Sequence, residues 1–505
     1  MTRSTALDAT ALRAMGPEIR RYVDAMPPGD LVAFPLTALD TIGIPVWTVA
    51  FFPADAALHG LMPYGVGYGL TDEAAILGSI GEAAEMLWPT LTLQHKHKTS
   101  ASYADLVRIH GFDAIVDPLT LCLPAGSPYT ETCVLDWVEA RRPRDGATVL
   151  VPIEVATDNS MGLSPGYKPF TQLITNGMGA GPDVDWAMGH GLCELLQRDG
   201  NGLTFRALDQ GIKIEIDDSA SPLLDLQKRF ANAGIEILPK FASDQFGLPN
   251  VYCVGRMIDG HAPATPIMVT ACGEGCHPDR NVALEKAICE FAASRVRKAF
   301  AHGPNELVER VAPEGYVKRF LAQAGNASKS SDMRAFNAMH DWTTRDAATL
   351  ERWLSGTVLS IRGSRQFSSI PSSSASGAKE RAKVSIDRMG AHAHDLVYVD
   401  LSPDDRSIAV AKTIVPRLEV ETMSYYCIGE RNTRKLMDMG SDLICFDNVT
   451  HSAVRPVRLT AEALSRIGRQ PYFDTAKADA IVGSLYPLYR EPEAHHVAQA
   501  QAKIS

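Results

Sequence analysis

No stretch of this 505-residue chain approaches the ~18–20 consecutive apolar residues of a membrane-spanning helix. The nearest run, residues 44–58, is broken by Pro45, Pro53 and Asp55. Residues 1–22 carry arginines but no unbroken apolar core, so they do not read as a secretory signal. Basic charge is also short: 49 Lys and Arg against 59 Asp and Glu leave a formal net charge of −10. Such a chain lacks the broad positive field of a nucleic-acid binder. Cysteine is sparse for a disulfide framework. There are nine, an odd number, scattered along the chain, which points to free thiols in a reducing cytoplasm. The one dense cluster, Cys272-x-x-x-Cys276-His277, has no second ligand pair nearby and reads as a strand end leading into a loop. The chain also lacks the G-x-x-x-x-G-K-S/T phosphate loop, the glycine-loop, lysine and H-R-D set of a kinase, and any solenoid repeat.

What the chain does have is 45% hydrophobic and 21% charged residues, enough apolar material for a packed core. Val- and Ile-rich strand patterns occur at residues 44–52, 148–155, 211–216, 251–257, 267–271, 396–401 and 408–415. Helical patterns lie at 72–87, 183–198, 223–233, 281–301 and 305–322, the first stopped by Pro89. The mixture predicts an α/β or α+β fold with sizeable sheets. Residues 367–378, FSSIPSSSASGA, are dense in serine and read as a mobile insertion loop, with 332–354 part of the same insertion. Residues 491–505 read as a frayed helix or tail.

Three glycine-rich segments are each followed by a helix that carries glutamate. The first is Gly65-Val-Gly67-Tyr-Gly69, with Thr71 as N-cap and Glu82 and Glu85 at i, i+3 on one helix face. The second is Asn176-Gly177-Met-Gly179-Ala-Gly181-Pro182, followed by Glu194, Gln197 and Arg198. The third is Gly273-Glu-Gly275, followed by Glu290 and Arg295. Gly69 to Glu82 and Gly181 to Glu194 are both 13 residues, and Gly275 to Glu290 is 15. Read as loops, the glycines let backbone N–H groups approach phosphate. Carboxylates several turns on suit Mg²⁺, and arginines suit the remaining charge. Together they suit a nucleoside triphosphate with more than one metal ion.

These segments resemble the YcaO family of ATP-dependent enzymes that modify peptide backbone amides. GYGLTDEAAILGSIGEAAEML is similar to the family's G-K-G…S-A-x-x-E-x-x-E. NGMGAGPDVDWAMGHGLCELLQRD is similar to N-G-x-A-x-G-N-T-x-E-E-A-x-x-x-x-L-x-E-x-x-E-R-D. ALEKAICEFAASR is similar to A-x-x-R-A-x-x-E-x-x-Q-x-R. LDTIGIPV and TIVPRLE resemble L-D-R-x-G-I-P-V and V-P-G-L-E, so the likeness runs in order from Leu39 to Glu419. It implies a YcaO-type ATP-binding fold of mixed sheets, with ATP and Mg²⁺ as cofactors. The peptide amide oxygen is phosphorylated, a nucleophile attacks the carbon, and phosphate leaves. A side-chain nucleophile gives an azoline, sulfide a thioamide, an amine an amidine.

Residue by residue, the resemblance places Glu82, Glu85, Glu194, Gln197 and Glu290 as metal ligands. It places Ser79, Asn176, Gly177, Arg198 and Arg295 at the nucleotide, with Gly78 standing where the family's serine precedes Ser79. It assigns no catalytic residue. Tyr68 replaces the lysine of G-K-G, Gln197 replaces a second glutamate, and Pro182 and Trp186 replace the usual Asn and Glu. Ala293 and Arg417 replace Gln and Gly. Gln197 lowers the ligand charge for a second Mg²⁺. The implied organisation is an N-terminal extension (1–30), a catalytic domain (31–445, with an insertion at about 325–390) and a C-terminal extension (446–505). Members that form azolines end in a P-x-P-x-P tail, and this chain ends without one. Thioamide or amidine formation in ribosomal-peptide biosynthesis is thus expected ahead of azoline formation. The alternative is a catalytically weak scaffold or peptide-binding subunit. The expected partners are a precursor peptide and a TfuA-like or peptide-recognition protein, with a homodimer as an open assembly. Neither nucleic acid nor membrane is expected, and the location is cytoplasmic.

Overall fold

Each of the three glycine-rich segments is an edge strand, not a loop, in the computed structural model, which describes residues 6–61, 64–203, 208–324, 332–375, 377–446 and 451–502. Tyr64–Tyr68 closes a four-stranded sheet after Leu7–Asp8, Gly29–Pro35 and Val46–Pro53. Met178–Gly181 closes a six-stranded sheet beside Ala409–Ile414, Val397–Asp400 and Val134–Arg141. Gly273–Cys276 closes a five-stranded sheet beside Asn250–Met257, Ile235–Ser243, Ile212–Glu215 and Gly363–Gln366. The chain then turns back over its own strand as the helices Asp72–His95, Val184–Asn201 and Arg280–His302. Their N-caps are Thr71, Asp183 and Asp279.

The glycines alternate, so they share one strand face, and the helix lies on that face. A Cβ on Gly67 would stand 1.9 Å from the Ala75 carbonyl oxygen, one on Gly179 2.1 Å from that of Ala187, and one on Gly275 2.0 Å from that of Ala283. Backbone touches backbone in all three units. The glycine signal in the sequence therefore records close helix–strand packing, and the expected phosphate-cradling loops are corrected to strands. Gly67→Ala is expected to cost about 1–3 kcal/mol, because the obstructing atoms are main chain and cannot rotate away. A thermal melt checks it.

Among the described residues the named strands pair antiparallel apart from Gly363–Gln366 on Ile212–Glu215, so the α+β form of the expected class is the one found. Residues 267–271, expected as a strand, instead begin with the 3₁₀ turn Pro266–Met268. The first helix runs through Pro89 to His95, since Thr90 and Leu93 beyond it are buried. The helix expected over 305–322 is two, Asn305–Val311 and Tyr316–Ala324, with Pro313 between them. The serine-rich segment is anchored: Phe367 and Ile370 are buried in the same apolar cluster as Phe291 and Leu284, and Ala378–Ala391 is a helix on Val184–Asn201. Positions 1–5, 325–331, 376, 447–450 and 503–505, which carry parts of the expected extensions, insertion and tail, lie outside the described residues.

Ile76, Ile80, Ala83 and Leu87 of the first helix are buried between the four- and six-stranded sheets. Leu284, Ile288 and Phe291 of the third helix are buried on the five-stranded sheet. All nine cysteines are free. Among the described residues no helix is long and apolar enough to cross a membrane.

Candidate active site

The three glycine units face one cavity of about 630 Å³. Glu82 and Glu85 reach it from the first helix, Glu194, Gln197 and Arg198 from the second, and Glu290 from the third. Each of the four acids is held through one oxygen by a donor on or beside an edge strand. Val66 N–H donates to Glu82 Oε2 at 2.7 Å, and Ala180 N–H to Glu85 Oε1 at 2.9 Å. Gly177 N–H donates to Glu194 Oε2 at 2.9 Å, and the Tyr68 hydroxyl to Glu290 Oε2 at 2.9 Å. An edge strand leaves N–H groups without a partner strand, and here Glu82 and Glu85 take two of them, while Glu194 takes the N–H of Gly177 just before its strand. The second oxygens accept no hydrogen bond among the described residues; that of Glu194 faces the Arg198 guanidinium at 3.8 Å, and the other three stand open to a ligand.

Cations interleave with these acids. Arg198 lies 3.8 Å from Glu194 and 3.3 Å from the buried Glu274. Lys286 Nζ donates to Gln197 Oε1 at 3.0 Å. Arg297 forms a fork with Glu491, at 3.1 and 3.0 Å. Burial pushes Glu85 up to about 8, with repulsion from Glu194 and Glu82 adding to it. Glu82 is exposed to the cavity, and the surrounding walls shield its carboxylate from bulk water. Burial raises its pKa, the Val66 N–H and Arg297 pull it down, and Glu290 and Glu194 push it up again. Carboxylates that repel one another in an enclosed space are relieved by a cation or a proton. Among the described residues, no three His, Cys, Asp or Glu side chains are gathered tightly enough to form a metal cage unaided. The glutamates share a wall, not a closed ligand shell.

Six of the ten residues singled out by the sequence thus meet: Glu82, Glu85, Glu194, Gln197, Arg198 and Glu290. Four do not. Ser79 is fully buried and its hydroxyl donates to the Gly65 carbonyl at 2.8 Å, tying helix to strand. Asn176 is buried and donates to Glu421 Oε1 at 2.9 Å. Gly177, at φ +88°, sits against the Thr413 carbonyl and serves Glu194 through its N–H. Arg295 is buried in an ion pair with Asp40 at 2.8 Å and bonds the Met268 carbonyl. Arg297, two residues on, takes the cavity position expected of Arg295.

Lys286 and Glu274 were not legible as site residues, since one charge on a helix and one in a strand carry no spacing signal. Nor was the helix Pro17–Ala25, from the stretch read as an extension. Its Glu18, Arg21 and Tyr22 line the cavity, and the Tyr22 hydroxyl donates to the Ala180 carbonyl at 3.0 Å. Its Ile19, Tyr22, Val23 spacing was the available signal. At the other side Trp186 stacks on His190, centroids 5.1 Å apart, with the Arg381 guanidinium 5.0 Å from the indole. Burial lowers the His190 pKa to about 3, helped by Lys286 and Arg381, so the ring is neutral.

The model of a protein family described as YcaO cyclodehydratase, ATP- and Mg²⁺-binding, matches residues 66–419. An uncharacterised protein of Methanothermobacter thermautotrophicus is 27% identical over 399 residues, 78% of this chain and 91% of its own. A Rhizobium leguminosarum bv. trifolii protein from the region 3′ of tfuA is 28% identical over 52% of this chain and 60% of its own. Two solved structures share the fold. One is a heterocyclase in complex with substrate and cofactor, with a TM-score of 0.54 at 15% identity over 75% of this chain; this chain spans about half of it, 48%. The other is YcaO from Methanopyrus kandleri bound with AMPPCP and Mg²⁺, with a TM-score of 0.51 at 14% identity over 77% of this chain and 86% of that one. With strand–helix units, cavity and family match in agreement over most of its length, the chain belongs to the YcaO family, whose members bind ATP and Mg²⁺.

Proposed function

We propose that the cavity holds ATP and Mg²⁺ and activates a backbone amide of a ribosomally synthesised peptide by O-phosphorylation. The observation that carries this reading is the meeting of Glu82, Glu85, Glu194 and Glu290, from three helices, with Lys286, Arg198 and Arg297 in one cavity. The residues fit such a ligand. A volume of about 630 Å³ lies within the roughly 300–1,000 Å³ of small-molecule sites. Carboxylate oxygens that repel one another suit a hard divalent cation, and interleaved guanidinium and ammonium groups suit phosphate.

Bound ATP supplies the phosphoryl group that turns a poor leaving group, an amide oxygen, into a good one. The protein's share is positioning and charge stabilisation. Glu82, Glu85, Glu194 and Glu290 would hold the metal through the oxygens that the main-chain N–H groups and Tyr68 leave open. Arg198, Arg297 and Lys286 would neutralise the remaining phosphate charge. Gln197 adds at most a neutral oxygen, and that oxygen already accepts from Lys286.

For the nucleophile, sulfide and a thioamide product are our leading reading, supported by the relative encoded beside tfuA. Amidine formation comes next, and azoline formation, the chemistry suggested by the heterocyclase relative, after it. A TfuA-like protein and a precursor peptide are the partners this reading requires. A second reading, a scaffold with weak turnover, is favoured by Tyr68 being engaged with Glu290 where the family has lysine. Titration calorimetry with ATP tests both. Saturable binding in Mg²⁺ that disappears in EDTA is expected, and no binding in Mg²⁺ overturns the proposal. Binding without peptide modification in the presence of the partner and sulfide selects the scaffold. Mass spectrometry of a modified peptide separates exchange of oxygen for sulfur from loss of water.

A further inference from the structure

A second cavity, of about 220 Å³, shares no lining residue with the first. It lies between the segment around Arg417, the helix Glu430–Asp438 and the turn around His392. Its backbone is unusual. Seven non-glycine residues among those described have positive φ, and three of them line this cavity: Cys122 (54°), Ala393 (56°) and Arg417 (73°). That region disfavours residues with a Cβ, and such conformations gather where function requires them. Arg417 stands where the V-P-G-L-E pattern has glycine, the residue its φ would accept without strain. A bulky cation is thus kept at a position better suited to glycine.

The charges in the wall show why Arg417 matters. Glu419 is buried and already accepts the N–H groups of Gly429, Arg431 and Asn432, at 2.8, 2.6 and 3.1 Å. Glu430 is forked by Arg466 at 2.8 and 2.6 Å. Arg431 is forked onto Asp199 at 2.6 and 2.9 Å. Arg417 is exposed, and its side chain makes no ion pair or hydrogen bond among the described residues. Asp117 and Glu462 act on it only through space. Its main-chain N–H is pinned to the Thr120 carbonyl at 2.7 Å, which holds the residue over the cavity. Leu119, Leu459 and Ala463 supply apolar surface beside it.

We propose that this cavity receives a side-chain carboxylate of an acidic peptide segment, with Arg417 as its anchor. A guanidinium with no partner, over apolar surface, fits a carboxylate carried on an aliphatic stem. The choice of a peptide rests on the proposed function, whose substrate is one.

The test uses capped, amidated, fluorescent hexapeptides with a central Glu or Gln, titrated by anisotropy into the full-length protein and Arg417→Gly. Expected results are binding of the Glu peptide, at least tenfold weaker binding of the Gln peptide, and at least tenfold loss in Arg417→Gly. That variant should melt no lower than the parent and bind Mg·ATP unchanged. Equal binding of the two peptides, no binding of either, or binding indifferent to Arg417→Gly overturns the proposal. Competition by free succinate as strong as by the peptide assigns a small carboxylate and also overturns it. Failure of wild-type protein to bind Mg·ATP would sink the proposed function instead, and leaves the peptide pair to decide this inference alone.

Discussion

Glu194→Ala, and separately Glu82→Ala, should lower Mg²⁺-dependent ATP binding by at least about a hundredfold while leaving the fold intact. Both carboxylates face the cavity rather than the core, and each uses one oxygen on a main-chain N–H, Val66 in its strand or Gly177 just before its own. Removing either deletes a hard oxygen ligand and frees a donor that water in the cavity can satisfy. Calorimetry in Mg²⁺, with a thermal melt as control, reads both effects. Glu85→Gln separates charge from geometry, because an amide oxygen still accepts the Ala180 N–H. The folded-state pKa of Glu85, about 8, lies above its ordinary 4.5. Between those values the folded protein binds more protons than the unfolded chain, so nucleotide-free stability falls as pH rises through that window. Glu85→Gln should flatten that fall and also weaken the stabilisation by Mg·ATP. A pH-independent difference between parent and variant would refute the electrostatic account.

The site was legible where spacing carries chemistry. Glu82 and Glu85, and then Glu194 with Arg198, lie on helix faces that periodicity alone identifies, and the structure turns those faces to one cavity. It was illegible where an edge strand does the work. Alternating glycines read equally as a phosphate loop or as a strand bare enough for a helix, and what decides is that a Cβ on Gly67, Gly179, Gly273 or Gly275 would stand 1.9–2.1 Å from a helix carbonyl oxygen. Arg295 and Arg297 show the limit of motif transfer. One turns to Asp40 and the core, the other to the cavity, and a two-residue choice on a helix depends on which neighbour supplies the buried acid. The overall class followed from composition and pattern. The antiparallel connections depended on strands such as Ile235–Ser243, whose apolar run lacks clear alternation.

Lys240→Met should be the most destabilising single change in the five-stranded sheet, at about 3–5 kcal/mol. Lys240 is fully buried in mid-strand, paired in register with Tyr252 on one side and Lys213 on the other. Its ammonium forms an ion pair with Asp209 and donates to the carbonyls of Val358, at 2.5 Å, and Ser360, at 2.8 Å. Asp209 in turn accepts the Tyr252 hydroxyl and the Gly211 N–H. Methionine fills the space of the stem but leaves a buried carboxylate and two buried carbonyls without their cation. The carboxylate is the larger penalty, so Lys240→Met combined with Asp209→Asn should recover most of the loss, since Asn still accepts from Tyr252. Urea unfolding of the single and double variants measures the coupling, and additive losses would contradict it. The network also bears on the cavity. Tyr252 pairs in register with Glu274 on the glycine strand, and Glu274 holds Arg198. A sheet loosened at Lys240 should therefore weaken Mg·ATP binding in the single variant and regain it in the double one. A variant that lost stability but kept full affinity would show the two regions to be energetically separate.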